Sequence, residues 1–336
     1  MSGVTTFLVT ADDADIRLDR WFRNRYPGLS HGRLEKLLRT GQIRVDGRRA
    51  KASLRLASGN QVRVPPLSNE TATLEKSRPS TFTPSEADFA AVQDWVLYRD
   101  DMMLAINKPA GLAVQGGSGV TRHVDALLDG LRFGSEDRPR LVHRLDKDTS
   151  GVLLLARNAV AARHLTKLFR NQELRKVYWA LTIGRPQLER GRIDAAIAKR
   201  AISTHVERII PVPDGADATT FYATVDTAGS SVTWLALAPR TGRTHQLRVH
   251  CAKILHCPIL GDKKYPAESD PIEPAGFGAG LHLHARLLSL PHPGNGGARR
   301  ARLVVVAPLP PHMTRTWHHL GFDPLTDGDP FAELYT

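Results

Sequence analysis

A segment dense in charged residues lies directly before an apolar run, and this junction restricts how the middle of the chain can fold. The charged segment, residues 141–151, reads LVHRLDKDTSG, and the apolar run follows at residues 152–155. An apolar run of this kind is typical of a buried strand. Charged side chains cannot share that burial unless each of them finds a partner. The junction therefore predicts a strand that enters the core from a loop with a functional role.

Composition limits the class of protein to which this strand belongs. The chain has 336 residues, of which 41% are hydrophobic, so it can form two or three domains with a buried core. Its apolar runs are shorter than the roughly 20 residues of a membrane span, and its N-terminus lacks the pattern of a signal peptide. Two cysteines, Cys251 and Cys257, do not suffice for a disulfide framework. These features predict a cytoplasmic protein that does not enter a membrane.

The basic residues are concentrated near the N-terminus. The formal net charge is +12, and residues 15–65 alone hold thirteen Lys and Arg against four Asp and Glu, a local excess of +9. A solvated basic surface without a partner could have the same composition. The concentration of charge on one small domain instead favours a surface that binds nucleic acid.

Helix and turn signals predict two helices and a hairpin in this basic region. The first helix follows from apolar residues at helical spacing, namely Leu18, Trp21, Phe22 and Tyr26. Ser30 is the expected N-cap of the second helix, and Gly41 is its expected end. Asp46 and Gly47 are the expected tight turn of the hairpin.

The segment that carries these signals, RLDRWFRNRYPGLSHGRLEKLLRTGQIRVDGRRAK, resembles the S4 RNA-binding domain. In that family, two helices and the following hairpin present basic side chains to structured RNA. The resemblance therefore implies RNA contacts from the basic residues on these elements. They are Arg33, Lys36, Arg39, Arg44, Arg48 and Arg49.

Changes in composition divide the chain further. The predicted parts are an S4-like domain at residues 1–66, a polar linker at residues 67–94, a larger domain at residues 95–325 and a C-terminal tail at residues 326–336. In the larger domain, strands and helices mix without a regular βαβ alternation, which predicts an α+β fold. A helix is expected at residues 158–170. In the strand expected at residues 175–184, Tyr178 faces away from the apolar side.

Four segments of the larger domain carry the candidate chemistry. They are INKPAGLAV, HRLDKDTSG, RKVYWALTIG and PRTGRTHQLRVHCAKILHCPILGDKKY. The last segment predicts a turn followed by a helix that is capped near Thr244. The chain contains neither the phosphate-loop motif nor the H-E-x-x-H zinc motif, and its fourteen histidines do not show the spacing of metal ligands. No nucleotide cofactor and no metal are therefore expected.

Together these segments resemble the family of pseudouridine synthases that modify uridines of ribosomal and transfer RNA, above all its branch that acts on large-subunit ribosomal RNA. The pair HRLDKDTSG and TGRTHQLRVH carries most of the resemblance, supported by GLAVQGGSG and LHLHARLLSLPHP. The resemblance implies a catalytic domain built on a mixed, mainly antiparallel sheet flanked by helices. It also implies an isomerase that breaks the N1–C1′ bond of uridine and rejoins the base through C5, without a cofactor.

The resemblance also assigns roles to individual residues. Asp146 is the carboxylate that acts at the ribose, either by attack on C1′ or by removal of the 2′ proton, and Arg248 is its salt-bridge partner. Tyr178 stacks on the base, and its hydroxyl helps to move the C5 proton. The remaining implied contacts to the substrate are Leu247 beneath the base, Arg144 in the gap left by the flipped nucleotide, and Lys108, Lys176 and Arg243 near the site or a phosphate.

The expected partner is 23S ribosomal RNA, or an assembly intermediate of the large subunit, bound by a monomer. One alternative is another structured RNA as the target. A second is a ribosome-assembly protein that binds RNA without catalysis, although binding alone would need none of Asp146, Tyr178 and Arg248. A third is a glycoside hydrolase or nucleosidase that uses Asp146 and Asp148 as a carboxylate pair. Asp148 lies only two residues further on and is expected to cap the turn.

Overall fold

The structure, a computed structural model, divides the chain into two compact units, Met1–Arg78 and Pro79–Thr336. Each unit has a hydrophobic core cluster of its own. The residues that it describes are 4–26, 28–67, 82–117, 120–203, 206–267, 277–293, 302–325 and 330–331.

The first unit combines a small antiparallel sheet with two helices. Its elements are β1 (Thr5–Leu8), α1 (Leu18–Arg25), α2 (His31–Arg39), β2 (Arg44–Val45), β3 (Arg48–Arg49) and β4 (Gln61–Val64). The strand order is β1-β4-β2-β3. Asp46 and Gly47 join β2 to β3 with positive φ angles of 49° and 73°. Successive positive φ angles are typical of a tight hairpin turn, so the predicted hairpin is confirmed.

Apolar side chains of both helices form the core of this unit. The buried ones are Leu18, Trp21, Phe22, Leu34 and Leu38. The hydroxyl of Ser30 accepts a hydrogen bond from the N–H of Arg33 at 3.3 Å, which confirms the predicted N-cap of α2. Gly41 follows this helix with a φ of 73°, a conformation that glycine adopts without strain.

The second unit contains helices and a large mixed sheet. The helices are α3 (Glu86–Gln93), α4 (Val124–Leu127), α5 (Ala159–Arg170), α6 (Gln246–Val249) and α7 (Pro311–Leu320), with a π-helical turn at His250–Ile254 directly after α6. The strands are β5 (Val96–Arg99), β6 (Met103–Lys108), β7 (Arg140–Leu141), β8 (Ser150–Ala156), β9 (Arg175–Ile183), β10 (Arg190–Asp194), β11 (Ile197–Ser203), β12 (Val206–Pro211), β13 (Thr219–Ala228), β14 (Val232–Pro239), β15 (Leu283–Pro291) and β16 (Arg302–Val306).

The main sheet has the order β10-β13-β14-β9-β15-β8-β6-β5, with β7 beside β8 and β16 beside β15. β8 and β15 run parallel where they meet, whereas β15 is antiparallel to β9 and β8 is antiparallel to β6. β11 and β12 form a separate antiparallel hairpin. The predicted mixed, mainly antiparallel sheet is therefore confirmed.

β8 is the strand that the apolar run predicts. All of its residues are buried, and Leu153 and Leu155 belong to one core cluster while Leu154 belongs to another. Burial on both faces explains why the run is continuous rather than alternating. At the start of the strand, Gly151 has a φ of 108°, and a Cβ there would collide with the carbonyl oxygen of Ala285. Glycine thus lets the charged loop enter the sheet close to β15.

The helix predicted at residues 158–170 and the strand predicted at residues 175–184 are confirmed. The side chain of Asn158 accepts a hydrogen bond from the N–H of Ala161 at 2.8 Å and so caps α5. In β9, Trp179 lies in one core cluster, whereas Ala180 lies in another, against which Tyr178 packs. Tyr178 therefore faces the side of the sheet opposite to Trp179, as the alternation indicates.

The predicted linker and the predicted tail both contain residues that pack into the second unit. The predicted linker extends to residue 94, but α3 lies within it, begins with a capping box between Ser85 and Asp88, and buries Val92 in the core of the second unit. Five of the eight residues of α3 are apolar, so the polar composition of the linker ends before residue 94. In the predicted tail, Phe331 is buried in a core cluster. Residues 68–81, 326–329 and 332–336 lie outside the described residues.

Candidate active site

One cavity of the second unit collects side chains from separate segments of the sequence. It has a volume of about 130 Å³ and lies between the loop before β8, strand β9, and the turn that leads into α6. The predicted site residues that line it are Arg144, Asp146, Lys176, Tyr178, Arg243, Leu247 and Arg248. The fold thus brings together the two motifs whose pairing carried the family resemblance.

Asp146 lies in the loop between β7 and β8. Its carbonyl accepts a hydrogen bond from the N–H of Thr149 at 3.2 Å, which closes the turn before the strand. Leu145 and Thr149 are buried on either side of it. The side chain of Asp146 nevertheless keeps 22% of its surface exposed. The backbone of the loop is therefore held firmly, while the carboxylate remains accessible to a substrate.

Lys108, at the end of β6, is fully buried beneath this loop. Its ammonium donates hydrogen bonds to the carbonyls of Pro109 (2.8 Å), Leu112 (2.8 Å) and Lys147 (3.0 Å). Burial lowers the pKa of Lys108 to about 7, although the carboxylates of the loop raise it. Of the roles expected for Lys108, contact with a phosphate is wrong, because its donors are used by the backbone. Lys108 instead connects β6 to the loop of Asp146 and so shapes the site.

Tyr178 and Leu247 belong to the apolar part of the cavity wall. Leu247 on α6 is buried, and Tyr178 packs against the core cluster to which Leu247 belongs. Burial raises the pKa of Tyr178 far above its ordinary value, and the charge of Asp146 raises it further. The phenol is therefore protonated at neutral pH. The wall offers a ring face and a hydroxyl hydrogen to a ligand.

Arg248 forms its salt bridge with Asp262 rather than with the predicted partner, Asp146. Its Nε donates to Oδ2 of Asp262 at 2.7 Å and its Nη2 donates to Oδ1 at 2.6 Å, with only 6% and 1% of the two side chains exposed. Burial opposes the charge of Arg248, but Asp262, and then Asp146, raise its pKa above the ordinary value. The predicted salt bridge to Asp146 is therefore wrong. Arg248 acts on Asp146 only through its electric field.

Asp262 is a site residue to which sequence reasoning gave no role. Its Oδ1 also accepts the N–H groups of Lys264 (2.8 Å) and Tyr265 (3.0 Å), so the carboxylate is fully engaged. Helical spacing relates Arg248 only to residues within a turn or two. Asp262 lies in an irregular segment beyond the π-helical turn, where periodicity carries no signal. The segment GDKKY, which contains Asp262, belongs to one of the four predicted segments. The sequence does not show, however, that Asp262 pairs with Arg248.

His245 is the second residue that the prediction missed. Its Nε2 lies 3.9 Å from Oδ2 of Asp146, and its Nδ1 is hydrogen-bonded to the hydroxyl of Tyr265 at 2.9 Å. The expected helix cap near Thr244 is off by one residue, because His245 is the N-cap of α6 and has a left-handed φ of 54°. The chain reverses at His245, and the ring is thereby turned towards the cavity.

Gln246 fixes the turn before α6. Its Oε1 accepts hydrogen bonds from the hydroxyl of Thr241 (2.7 Å) and from the N–H of Arg243 (3.1 Å). Its Nε2 donates to the carbonyl of Thr219 and to the hydroxyl of Thr220, each at 2.9 Å. The buried amide is thus completely satisfied, and it ties the turn to β13. Networks of this kind are rigid because every member loses a partner if one moves.

Three further cations border the cavity. Lys176 lies on β9, and burial lowers its pKa to about 8, an effect that neighbouring Arg240 reinforces. Arg243 donates from Nε to the carbonyl of Asp217 at 3.0 Å. Arg144 is exposed next to Asp146. Their positive potential favours a polyanionic ligand.

The basic residues predicted to bind RNA lie in the first unit. Those that are exposed are Arg33, Lys36, Arg39, Arg48 and Arg49. Arg44 is half-buried, and its guanidinium donates to the carbonyls of Gly41 (3.2 Å) and Gly47 (2.9 Å). These hydrogen bonds of Arg44 stabilise the hairpin turn.

His284 of β15 is part of the packing rather than of the cavity. His284 is hydrogen-bonded to the hydroxyl of Ser150 at 2.9 Å and to the carbonyl of Ala307 at 3.2 Å. Within the described ranges, no group of three or more His, Cys, Asp or Glu side chains is placed to hold a metal ion. None of the helices in those ranges has the length and apolar character to cross a membrane.

Comparisons with known proteins agree with this geometry. Residues 102–253 match the family model described as RNA pseudouridylate synthase. The chain is 39% identical to a ribosomal large subunit pseudouridine synthase C of Rickettsia conorii, over 74% of this chain and 82% of the relative. It is 34% identical to the protein of that name from Escherichia coli, over 89% of this chain and 92% of the relative.

A solved structure supports the same assignment. The structure of human RNA pseudouridylate synthase domain containing 4 superposes with a TM-score of 0.56 at 30% sequence identity, covering 69% of this chain and 95% of that one. The matched family region spans both the loop of Asp146 and the turn into α6, which together build the cavity. The chain therefore belongs to the RNA pseudouridylate synthase family.

Proposed function

We propose that this protein isomerises specific uridines of 23S ribosomal RNA to pseudouridine, with Asp146 acting at the ribose. The observation that carries the proposal is the convergence of Asp146, Tyr178 and Leu247 on one cavity. An accessible carboxylate opposite an aromatic and apolar wall fits a nucleoside, whose sugar is polar and whose base is flat. The names of the relatives from Rickettsia conorii and Escherichia coli supply the substrate class.

The carboxylate has the surroundings that chemistry at the ribose requires. Asp146 must act as a carboxylate to attack C1′ or to take the 2′ proton. Arg248 borders the same cavity but forms its ion pair with Asp262, without a direct bond to Asp146. The oxygens of Asp146 are thus left for the substrate. Both routes at the ribose are compatible with this arrangement.

The wall of Tyr178 and Leu247 would hold the base while it turns. Stacking of a base on an aromatic ring contributes about 1–3 kcal/mol and does not depend on which edge of the base points outwards. A face without directional contacts lets the detached uracil rotate. Because the hydroxyl of Tyr178 carries its own proton, it can take up the C5 proton only by releasing that proton to another acceptor in the same step, and so acts as a relay. Tyr178 is thereby assigned to both holding and proton transfer.

The basic rim would receive the RNA around the target. A stacked uridine must leave its helix before it can enter the cavity, at a cost of a few kcal/mol. Arg144 is exposed beside Asp146 and is assigned to the position that the uridine vacates. Lys176 and Arg243 border the same cavity and are assigned to phosphates next to the target. Contacts of this kind offset the cost of unstacking.

The first unit is proposed to be an S4-like RNA-binding domain. Its two helices and hairpin carry five of the six predicted contacts on exposed positions, whereas Arg44 holds the turn. Exposed basic side chains bind RNA phosphates and release counterions, which gives affinity without sequence information. We assign recognition of the RNA region to this unit and the chemistry to the second one.

Isomerisation neither moves electrons to an acceptor nor adds a group, so the proposed reaction requires no cofactor. The protein is proposed to act as a monomer in the cytoplasm, on the large-subunit RNA or on an assembly intermediate of that subunit. The same chemistry on another structured RNA is the alternative that the cavity supports equally. A nucleosidase would instead release free uracil.

The decisive test is a map of pseudouridines in 23S ribosomal RNA from cells that lack the gene, complemented with wild type or Asp146→Asn. One or more pseudouridines should disappear, and only the wild-type protein should restore them. Full restoration by Asp146→Asn would reject the role of Asp146, and an unchanged map would reject 23S RNA as the substrate. Incubation of the purified protein with an RNA fragment, followed by assay for free uracil, distinguishes a nucleosidase.

A further inference from the structure

The backbone of His245 adopts a conformation that is uncommon outside glycine. Its φ of 54° is left-handed, a region that only a few per cent of non-glycine residues enter, histidine more often than most. Backbone strain of this kind persists where the surrounding structure enforces it, often at functional sites. The conformation turns the imidazole towards the carboxylate of Asp146, with Nε2 at 3.9 Å from Oδ2. The side chain therefore has a use that glycine could not provide.

Neighbouring groups determine which ring nitrogen carries the proton. The hydroxyl oxygen of Tyr265 accepts a hydrogen bond from the N–H of Ile209 at 3.3 Å. Its own hydrogen is therefore available for Nδ1 of His245, which lies 2.9 Å away. When Nδ1 accepts this bond, the proton of the neutral ring resides on Nε2. In that tautomer the N–H of His245 faces Asp146.

The ring is kept neutral by its surroundings. Burial is the largest influence and lowers the pKa of His245 below the ordinary value for histidine. The carboxylates oppose this effect and the cations reinforce it. The charged groups concerned are Asp146, Arg248, Lys264 and Asp262. A neutral donor can orient a carboxylate without cancelling its charge.

We propose that His245 is a positioning residue that presents its Nε2–H to Asp146 and fixes the direction of that carboxylate towards the ribose. The inference rests on the proposed role of Asp146. At 3.9 Å the contact is longer than a hydrogen bond, and catalytic hydrogen bonds are often long without substrate and shorten in the complex. Arg248 cannot perform this task because its guanidinium is held by Asp262. Tyr265 and Ile209 extend the arrangement to β12.

Two substitutions of His245 distinguish a role of its side-chain N–H from an effect of its backbone conformation. His245→Gln places an amide N–H near the position of Nε2 and does not titrate. Asn suits the left-handed backbone at this position better than Gln does, but the amide of His245→Asn reaches only the position of Nδ1. Backbone strain alone therefore predicts that Asn is the better replacement, whereas the positioning role predicts that Gln is. The readout is single-turnover isomerisation of an RNA fragment at saturating protein, together with the RNA affinity.

We expect His245→Gln to stay within about tenfold of the wild-type rate and His245→Asn to lose about a hundredfold, with RNA affinity unchanged in both, since misplacement of a reacting group by about 1 Å has effects of this size. Equal losses in two variants that melt at the wild-type temperature would overturn the proposal. Asp146→Asn is measured in parallel. If that variant remains active, the proposed function fails for a reason that does not involve His245.

A spectroscopic measurement tests the tautomer without activity. In protein labelled with ¹⁵N at histidine, the resonances absent from His245→Gln identify the ring, and its Nδ1 should have the shift of an unprotonated nitrogen. Tyr265→Phe should weaken that preference, because the hydrogen bond to Nδ1 is lost. A proton found on Nδ1 in the wild-type protein would overturn the proposal.

Discussion

The cavity of the second unit and the basic surface of the first unit hold their charges in opposite ways. In the cavity, Arg248 and Asp262 form a buried pair with 6% and 1% of the side chains exposed. On the first unit, Arg48 and Arg49 are exposed on a two-residue strand. Buried charges interact strongly in a fixed geometry, whereas exposed ones are screened by salt. The same residue types therefore serve chemistry in one region and general attraction in the other.

This difference predicts that substitutions in the cavity act on turnover or folding, and that substitutions on the surface act on affinity. The largest effect should come from Asp146→Asn, which keeps the shape and removes the charge. We expect turnover to fall at least about a hundredfold while RNA affinity stays nearly constant, consistent with loss of a group that acts in the transition state. Residual turnover above about one percent, in protein free of other synthases, would reject the assignment.

Asp148→Asn is the matched control for that experiment. Asp148 lies in the same loop and is exposed, so its substitution removes the same charge two residues away. Turnover within a few-fold of the wild type is expected. A loss as large as that of Asp146→Asn would indicate that the loop requires both carboxylates, as the glycoside hydrolase alternative assumes.

The second largest effect concerns folding rather than turnover. Asp262→Ala leaves the guanidinium of Arg248 buried without its partner, which costs about 3–5 kcal/mol of unfolding free energy. Urea unfolding would measure it. Glu189→Ala, which breaks the exposed pair with Arg185, is the control and should leave the midpoint nearly unchanged. Comparable shifts in both variants would contradict the contrast between buried and exposed pairs.

The case of Asp262 also marks the limit of what the sequence could predict. Local signals were sufficient for α1, α2, the hairpin turn, α5 and the facing of Tyr178, because each depends on residues a few positions apart. β8 was predictable because a strand buried on both faces has a continuous apolar run. The pairing of Arg248 was not predictable, since the irregular chain after the π-helical turn determines which carboxylate reaches it.

Residue type was a poor guide to burial for single charged groups. The family resemblance placed Lys108 near the site or a phosphate, but its ammonium is enclosed by three carbonyls. α3 lies at the end of the predicted linker, where the polar composition gives way to apolar residues that include the buried Val92. The resemblance led to the cavity without specifying the contacts of Lys108.

An intermediate effect is expected at Tyr178. Tyr178→Phe keeps the ring that would stack on the base and removes only the hydroxyl. Turnover should fall by about one to two orders of magnitude, at the lower end of what a proton-transfer group contributes, while affinity is retained. Leu247→Met, a change of similar volume in the same wall, is the control. A Phe variant as active as the wild type would leave only the ring with a role.

A pH-dependent effect should distinguish the interior of the second unit from the solvated surface. His143 stacks on Phe169, its Nε2 accepts the N–H of Leu154 at 2.8 Å, and burial, helped by Lys176, lowers its pKa to about 3. The unfolded chain has a histidine pKa of about 6.5. The neutral ring therefore stabilises the fold above about pH 6.5, and this contribution is lost as the pH falls towards 3, by about 1.4 kcal/mol per unit.

His143→Gln isolates that contribution, because its amide oxygen can accept the same N–H without titrating. Unfolding free energies measured between pH 7 and 5 should decrease less steeply for the variant than for the wild type, by about one proton. Identical slopes would show that His143 takes up its proton equally in the folded and the unfolded protein. The other buried histidines contribute equally to both slopes and cancel.

The smallest effect is expected on the surface of the first unit. Arg48→Gln removes one exposed charge. Among the described contacts, this substitution breaks no ion pair or side-chain hydrogen bond, so folding and turnover at saturating RNA should not change. If Arg48 contacts a phosphate, the slope of log affinity against log salt should become less steep by about 0.7–0.9. The affinity itself should fall only a few-fold at low salt.

Arg185→Gln removes the same charge from the second unit, where Arg185 pairs with Glu189, and serves as the control. A slope that Arg48→Gln leaves unchanged would remove Arg48 from the RNA-binding surface. Equal changes in both variants would mean that net charge, rather than the S4-like surface, determines how tightly the RNA is held.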